Sequence, residues 1–147
     1  MTSNLERRAI VAAARGWIGT PYLHQASLRG VGCDCLGLLR GVWRETIGSE
    51  PEIVPPYSPD WAEAVGEDLL LETARRHFRE ITIDAVAPGD IILFRWRPDL
   101  PAKHAAIVSA PQSMVHAHDG ACVCEVTIVP AWTRRIAGAF AFPNCTT

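Results

Sequence analysis

The chain has 147 residues, 48% of them apolar, and a formal net charge of −2. That length can bury one real core. The composition excludes a disordered chain, the absence of a basic block argues against nucleic acid, and no apolar run approaches the ~18 residues that span a membrane. Five cysteines cannot all pair, and the first residues, Met1 to Arg8, are not followed by an apolar core with a cleavage signal. The expectation is a cytoplasmically made chain with no secretory peptide and free thiols.

Taken in order, Leu5 to about Gly16 reads as a helix, with Leu5, Ala9, Ala12, Ala13 and Trp17 on one apolar side. Gly19-Thr20-Pro21-Tyr22 ends it. A loop with Gly30 and Gly32 leads to Cys33-Asp34-Cys35, where Cys33 reads as a turn residue. Leu38, Leu39, Val42, Trp43 and Ile47 then recur at helical spacing, so Cys35 to about Ile47 is a second helix, with Asp34 as N-cap and Gly48 as stop. Four prolines between Glu50 and Pro59 mark an extended loop. A third helix is expected from Asp60, with Glu63 completing a capping box, to about Arg79. After Glu80 the period changes. Glu80 to Asp84 alternates, and Pro88-Gly89-Asp90 turns into the apolar run Ile91–Phe94. Residues 105–108, 113–118 and 122–129 are further strands, with Asp119-Gly120 as a hairpin signal. A turn near Trp132–Arg135 precedes a last strand at about 137–142. Helices first and antiparallel strands second predict an α+β fold in which residues 1–147 form one domain.

Cys35 falls in the first turn of its helix, where unpaired backbone N–H groups and the helix dipole favour an anion. That placement is expected to lower the thiol pKa from ~8.5 and make a nucleophile. A thiol nucleophile needs a base. His104 opens one predicted strand and His116 lies in the next, so both imidazoles can face the helix terminus. His104 would take the thiol proton, and a second histidine would fix its tautomer. His116 and His118 are two apart and share a strand face, so spacing alone does not choose between them. The blander alternatives are a core cysteine and structural histidines. A zinc site from Cys33, Cys35, Cys122, Cys124, His104, His116 and His118 is disfavoured, because the cysteine pairs are spaced Cys-x-Cys. No metal and no cofactor are expected, and Cys122 and Cys124 are read as packing on one strand face.

Five motifs together resemble the NlpC-type cell-wall cysteine peptidases, a papain-like family. Asp34-Cys35-Leu36-Gly37-Leu38 resembles the family's Asp-Cys-Ser-Gly-Leu nucleophile motif, and Gly19-Thr20-Pro21-Tyr22 its upstream Gly-x-Pro-Tyr. Pro88 to Phe94 resembles the Pro-Gly-Asp-Leu-apolar-Phe strand, Lys103 to Val108 the histidine strand, and Met114 to Ala117 the third-residue strand. The resemblance implies a nucleophile helix packed on a small antiparallel sheet. It implies Cys35 as nucleophile, His104 as base and His116, rather than His118, as the orienting residue. Tyr22 would lie near the thiolate, and Asp34 would hold either the substrate's amine or the local loop. Leu36 stands where the family usually has Ser, on the acyl-donor side. The implied activity is an endopeptidase cleaving peptidoglycan stem peptides, after γ-D-glutamate. Rival expectations are an amidase or acyltransferase with the same site, and a structural tail or hub component whose site is vestigial. The compact Asp-Cys-Leu-Gly-Leu form resembles the subgroup found with phage tails and gene transfer agents, which implies tail proteins as partners and a phage-like particle as the carrier.

Overall fold

The computed structural model describes residues 2–52 and 68–145. A first helix, α1 (Thr2–Arg15), is followed by a two-stranded antiparallel ribbon, β1 (Ser27–Leu28) and β2 (Gly32–Cys33), and then by α2 (Cys35–Thr46). After the undescribed stretch come α3 (Leu69–His77), β3 (Arg79–Ile81), a short 3-10 turn (Ile83–Ala85), β4 (Ile91–Phe94), β5 (His104–Ala110), β6 (Ser113–His116), β7 (Cys124–Thr127), the short α4 (Pro130–Thr133) and β8 (Ile136–Ala141). The larger sheet is antiparallel throughout, in the order β3-β8-β4-β5-β6-β7. This is the α+β arrangement expected from the sequence. No helix among the described residues is long and apolar enough to cross a membrane.

The apolar run Ile91–Phe94 is buried at every position because both sheet faces are covered. Ile91, Leu93, Ala105, Ile107 and Val115 join the core shared with α1, α2 and α3. Ile92, Phe94, Ala106, Val108 and Met114 form a second cluster backed by Val86, Trp132 and Ile136. Helix α2 presents Leu38, Leu39, Val42 and Trp43 to the first core, as its periodicity requires. It lies very close to α1: a Cβ on Gly41 would run into the Trp17 ring. At its far end the backbone turns at Gly48, with φ +143°, and the Gly48 N–H donates to the Trp43 carbonyl at 3.1 Å.

The Pro88-Gly89-Asp90 turn is tied to α1 by charge. Asp90 is fully buried, accepts from Arg7 at 2.7 Å and accepts the Ala87 N–H at 2.9 Å. Gly89 has φ +97° and donates to the Val108 carbonyl at 2.8 Å, so this turn also sets the start of β4 beside β5.

Five expectations need correction. Helix α3 stops at His77 rather than near Arg79, because Arg79–Ile81 pairs with β8 as an edge strand. Cys33 is not a turn residue: it ends β2, opposite Ser27, and is buried in the core. The strand predicted over 113–118 ends at His116, and the one over 122–129 is confined to Cys124–Thr127. The Asp119-Gly120 pair therefore lies in a longer loop, with Gly120 at φ +81°, and not in a two-residue hairpin. The loop departs because Ala121 and Val123 bond back to the Gly19–Tyr22 stretch, with Cys122 opposite Pro21, instead of to β6. The Asp60–Glu63 capping box lies outside the described residues.

Removing one partner of a buried ion pair strands the other charge. Arg7→Ala should therefore lower stability by about 3 kcal/mol, read as a shift in the urea midpoint at unchanged slope. A shift equivalent to a few tenths of a kcal/mol would show that Asp90 does not depend on Arg7.

Candidate active site

Asp34 places the thiol. Its Oδ1 accepts the Gly37 N–H at 2.7 Å, the side-chain cap of α2, and its Oδ2 accepts the Gln25 N–H at 2.7 Å. Gln25 sits at φ +66°, a conformation uncommon outside glycine. One carboxylate thus caps the helix and holds the preceding loop, which favours the loop-holding role of the two that the resemblance offered. Gly37 is required beside it, because a Cβ there would collide with the Ala26 carbonyl oxygen. Ser27 Oγ donates to the Gly37 carbonyl at 2.6 Å, and the loop is closed onto the helix start.

The Gly19–Tyr22 stretch is stitched into this loop from two sides. Gly19 N–H donates to Val123, Tyr22 N–H to Ala121 and Cys33 N–H to Pro21. Tyr22 is thereby brought to the rim of a cleft. Cys35, His104, Asp34 and Leu36 line the same cleft, with His24, Trp96, Lys103, Ala117, His118 and Asp119. Every residue expected at the site borders it except His116, which stands behind His104.

His104 and His116 are both buried. His104 Nε2 and His116 Nδ1 are 2.9 Å apart, one donating and the other accepting. The contact follows from strand order: β5 opens with His104, β6 closes with His116, and the two strands pair. It leaves Nδ1 of His104 as the nitrogen for a reacting group. Aromatic rings surround the base. Trp96 and Trp132 pack on His104 at 5.6 Å each, nearly parallel to it, and Phe94 lies at 6.0 Å. His118, exposed at the cleft, stacks on His116 at 5.6 Å. Trp96, Trp132 and Lys103 were not singled out from the sequence. Nothing in their local pattern separates a tryptophan against the base from a core tryptophan, since the rings come from the loop after β4 and from α4 to meet a histidine on β5.

The electrostatics correct the expected thiolate. Burial pushes the Cys35 thiol up to about 12, and the Asp34 charge adds to that; the backbone amides of Ala105, Leu36 and Cys35 oppose it without prevailing. The sulfur also contacts the Lys103 carbonyl, at 3.8 Å, which accepts from S–H and so suits the neutral form. Burial, then the neighbouring His116 and His118, hold His104 down to about 3; burial, then His118, hold His116 down to about 4. Burial, then the Cys35 and Asp34 charges, also push the Tyr22 phenol up, so it remains a donor. At neutral pH the resting site is a neutral thiol beside two neutral imidazoles.

The comparisons place this fold among known ones. No family model matches the chain. Among curated proteins it is similar to gamma-DL-glutamyl hydrolase of Bacillus subtilis (strain 168), 26% identical over 141 residues, covering 93% of this chain and 30% of that protein. Among solved structures it is similar to the NlpC/p60 domain of peptidoglycan hydrolase SagA (TM-score 0.63, 22% identity, 92% of this chain and 98% of that one). It is also similar to an NlpC/P60 family protein from Bacillus cereus ATCC 10987 (TM-score 0.67, 18% identity, 92% and 40%) and to NlpC2 from Trichomonas vaginalis (0.64, 16%, 93% and 46%). The chain thus spans less than a third of the curated relative and under half of the latter two structures. The fold is the papain-like α+β fold of the NlpC/P60 proteins.

The two buried histidines tie stability to pH. In the unfolded chain each takes a proton near pH ~6.5, while the folded protein refuses it until about 3 and about 4. The unfolded state then binds more protons, so stability falls as pH falls below ~6.5. Between about pH 7 and pH 5 the loss should be on the order of 2 kcal/mol per histidine, measured by urea unfolding. The slope should shrink in His116→Gln; an unchanged slope there would show that His116 ionises freely in the fold.

Proposed function

We propose that the protein is a cysteine endopeptidase that hydrolyses amide bonds in peptidoglycan stem peptides, after γ-D-glutamate. The observation that carries the reading is the 2.9 Å contact between His104 Nε2 and His116 Nδ1 beside a capped-helix cysteine in one cleft. A base with one nitrogen bound by an orienting group and the other left for a thiol is the working unit of nucleophilic catalysis. The similarity to a gamma-DL-glutamyl hydrolase and to the domain of a peptidoglycan hydrolase supports the substrate class.

In this reading the Cys35 sulfur attacks the scissile carbonyl carbon while its proton passes to His104. Either charge alone is unfavourable in the cleft; thiolate and imidazolium formed together offset one another, so transfer and attack are coupled. The oxyanion accepts hydrogen bonds from backbone amides at the helix start, Cys35 N–H among them. His104 returns the proton to the leaving amine, giving the thioester. Water then adds to the thioester as His104 takes its proton, and collapse returns that proton to sulfur and releases the acid. His116 Nδ1 accepts from the far nitrogen, Nε2–H of His104, which leaves the Nδ1 lone pair for the thiol proton and keeps the ring in register. Leu36, in place of the family's Ser, gives the acyl-donor side an apolar wall. Residues 1–147 act as one catalytic unit, and its compact Asp-Cys-Leu-Gly-Leu form supports delivery to the wall by phage-type tail proteins.

The test is digestion of purified peptidoglycan with mass analysis of the released fragments. Fragments ending in a free γ-D-glutamyl carboxyl are expected; intact peptidoglycan, acyl transfer products or a cut elsewhere would overturn the assignment. In the same assay Cys35→Ser and His104→Ala should be inactive and Cys33→Ser active. His116→Ala should lose about a hundredfold and His116→Gln recover part of it, because removing an orienting group leaves nucleophile and base in place. His118→Ala dead beside a healthy His116→Ala would assign the orienting role to the wrong histidine. EDTA should not lower the rate.

A further inference from the structure

Three imidazoles, not two, meet at the end of the β5–β6 pair. The peptidase reading uses His104 and His116 and leaves His118 without a task. The His118 ring stacks on His116 at 5.6 Å and lies edge-on to His104 at 5.7 Å. One ring nitrogen from each of the three lies within 4.8 Å of the other two. Among the described residues, this is the group of histidine, cysteine and carboxylate side chains close enough to share an ion.

We propose that His104, His116 and His118 form a binding site for a divalent transition metal of the zinc type, and that metal bound there holds the enzyme in a reversibly inhibited form. The binding stands on the geometry of the three rings; the inhibition rests on the proposed peptidase function.

Zinc takes imidazole nitrogen at ~2.0–2.1 Å in a tetrahedron, which sets ligand nitrogens about 3.3 Å apart. The 2.9 Å contact between His104 and His116 must open slightly, and the wider separations, all within 4.8 Å, must close. The exposed His118 side chain is the one free to make the larger adjustment. His104 and His116 are fixed on paired strands, so two of three ligands are already in place. Imidazole donors suit zinc, copper and nickel better than magnesium or calcium.

The protons balance without redox chemistry. In the resting pair the hydrogen lies on Nε2 of His104, since Nδ1 of that ring is the base. When metal binds, that ring moves its proton to its other nitrogen, and both facing nitrogens offer lone pairs. Water from solvent completes the tetrahedron. Nε2 of His104 is then held by the ion, its Nδ1 carries the proton, and that nitrogen has no lone pair left to accept hydrogen from Cys35. The rate is lost because the base is occupied as the wrong tautomer, and chelation restores it.

The experiment is calorimetric titration of the metal-free full chain with ZnCl₂ in a non-chelating buffer. A single saturable equivalent is expected in the wild type, weakened about tenfold or more in His118→Ala and unchanged in Cys122→Ser. His118 is exposed, so its replacement does not threaten folding. No saturable equivalent, wild-type affinity in His118→Ala, or loss of binding in Cys122→Ser would overturn the site. The second arm follows peptidoglycan hydrolysis over the same zinc range. Inhibition tracking the calorimetric occupancy and reversed by EDTA is expected; full activity at saturating zinc would overturn the inhibition. The calorimetry needs no substrate, so a failure of the peptidase reading and a failure of the metal site are told apart.

Discussion

Burying His104 while keeping it able to exchange a proton is the constraint on which the site depends. An imidazole in an apolar box must be neutral, and a neutral imidazole has one donor and one acceptor to satisfy. The 2.9 Å contact with His116 satisfies one nitrogen and thereby assigns a role to the other. That contact exists only in one strand register. Slipping β6 against β5 by a single residue would turn His116 to the opposite face of the sheet. The rings of Phe94, Trp96 and Trp132 fill the space around His104 and keep solvent from supplying a competing partner.

The rest of the molecule brings a cysteine to that ring. Helix α2 cannot be moved without losing the Asp34 cap, the contact of Gly37 with Ala26 and the seat of Gly41 against Trp17. Helix α1, which carries the chain to Trp17, is anchored by Arg7 to the buried Asp90, and the turn holding Asp90 starts β4. β4 pairs with β5 so that Phe94 lies opposite His104. A chain of contacts thus runs from α2 through α1 and the Asp90 turn to the strand that carries the base. The glycines and the turn aspartate serve geometry, while the chemistry falls to the sulfur and the imidazoles.

What could be read from the sequence was what neighbouring residues decide. The cap at Asp34, the start of α2 at Cys35, the Pro88–Asp90 turn and the apolar strand after it depend on side chains a few positions apart, and the structure has them. The pairing of His104 with His116 was within reach because a tight connection joins their strands. The β1–β2 ribbon is two residues per strand and carries no period. Trp96 and Trp132 meet the base from separate elements, and no local pattern shows it. The end of α3 was misplaced because Arg79 is helical by propensity and is claimed by pairing with β8. The thiol's resting state departs from the helix-terminus expectation for a related reason. The helix terminus is visible in sequence and favours an anion, while the burial that outweighs it is made by residues distant in the chain.

A neutral thiol that ionises only as it attacks is the central claim, and the alkylation of Cys35 by iodoacetamide as a function of pH tests it most directly, with the modified residue located by peptide mapping. The account predicts slow labelling near neutral pH that climbs through the alkaline range, toward the raised value of about 12. Rapid labelling of Cys35 at mildly acidic pH, flat with pH and abolished in His104→Ala, would reveal a standing thiolate–imidazolium pair and contradict it.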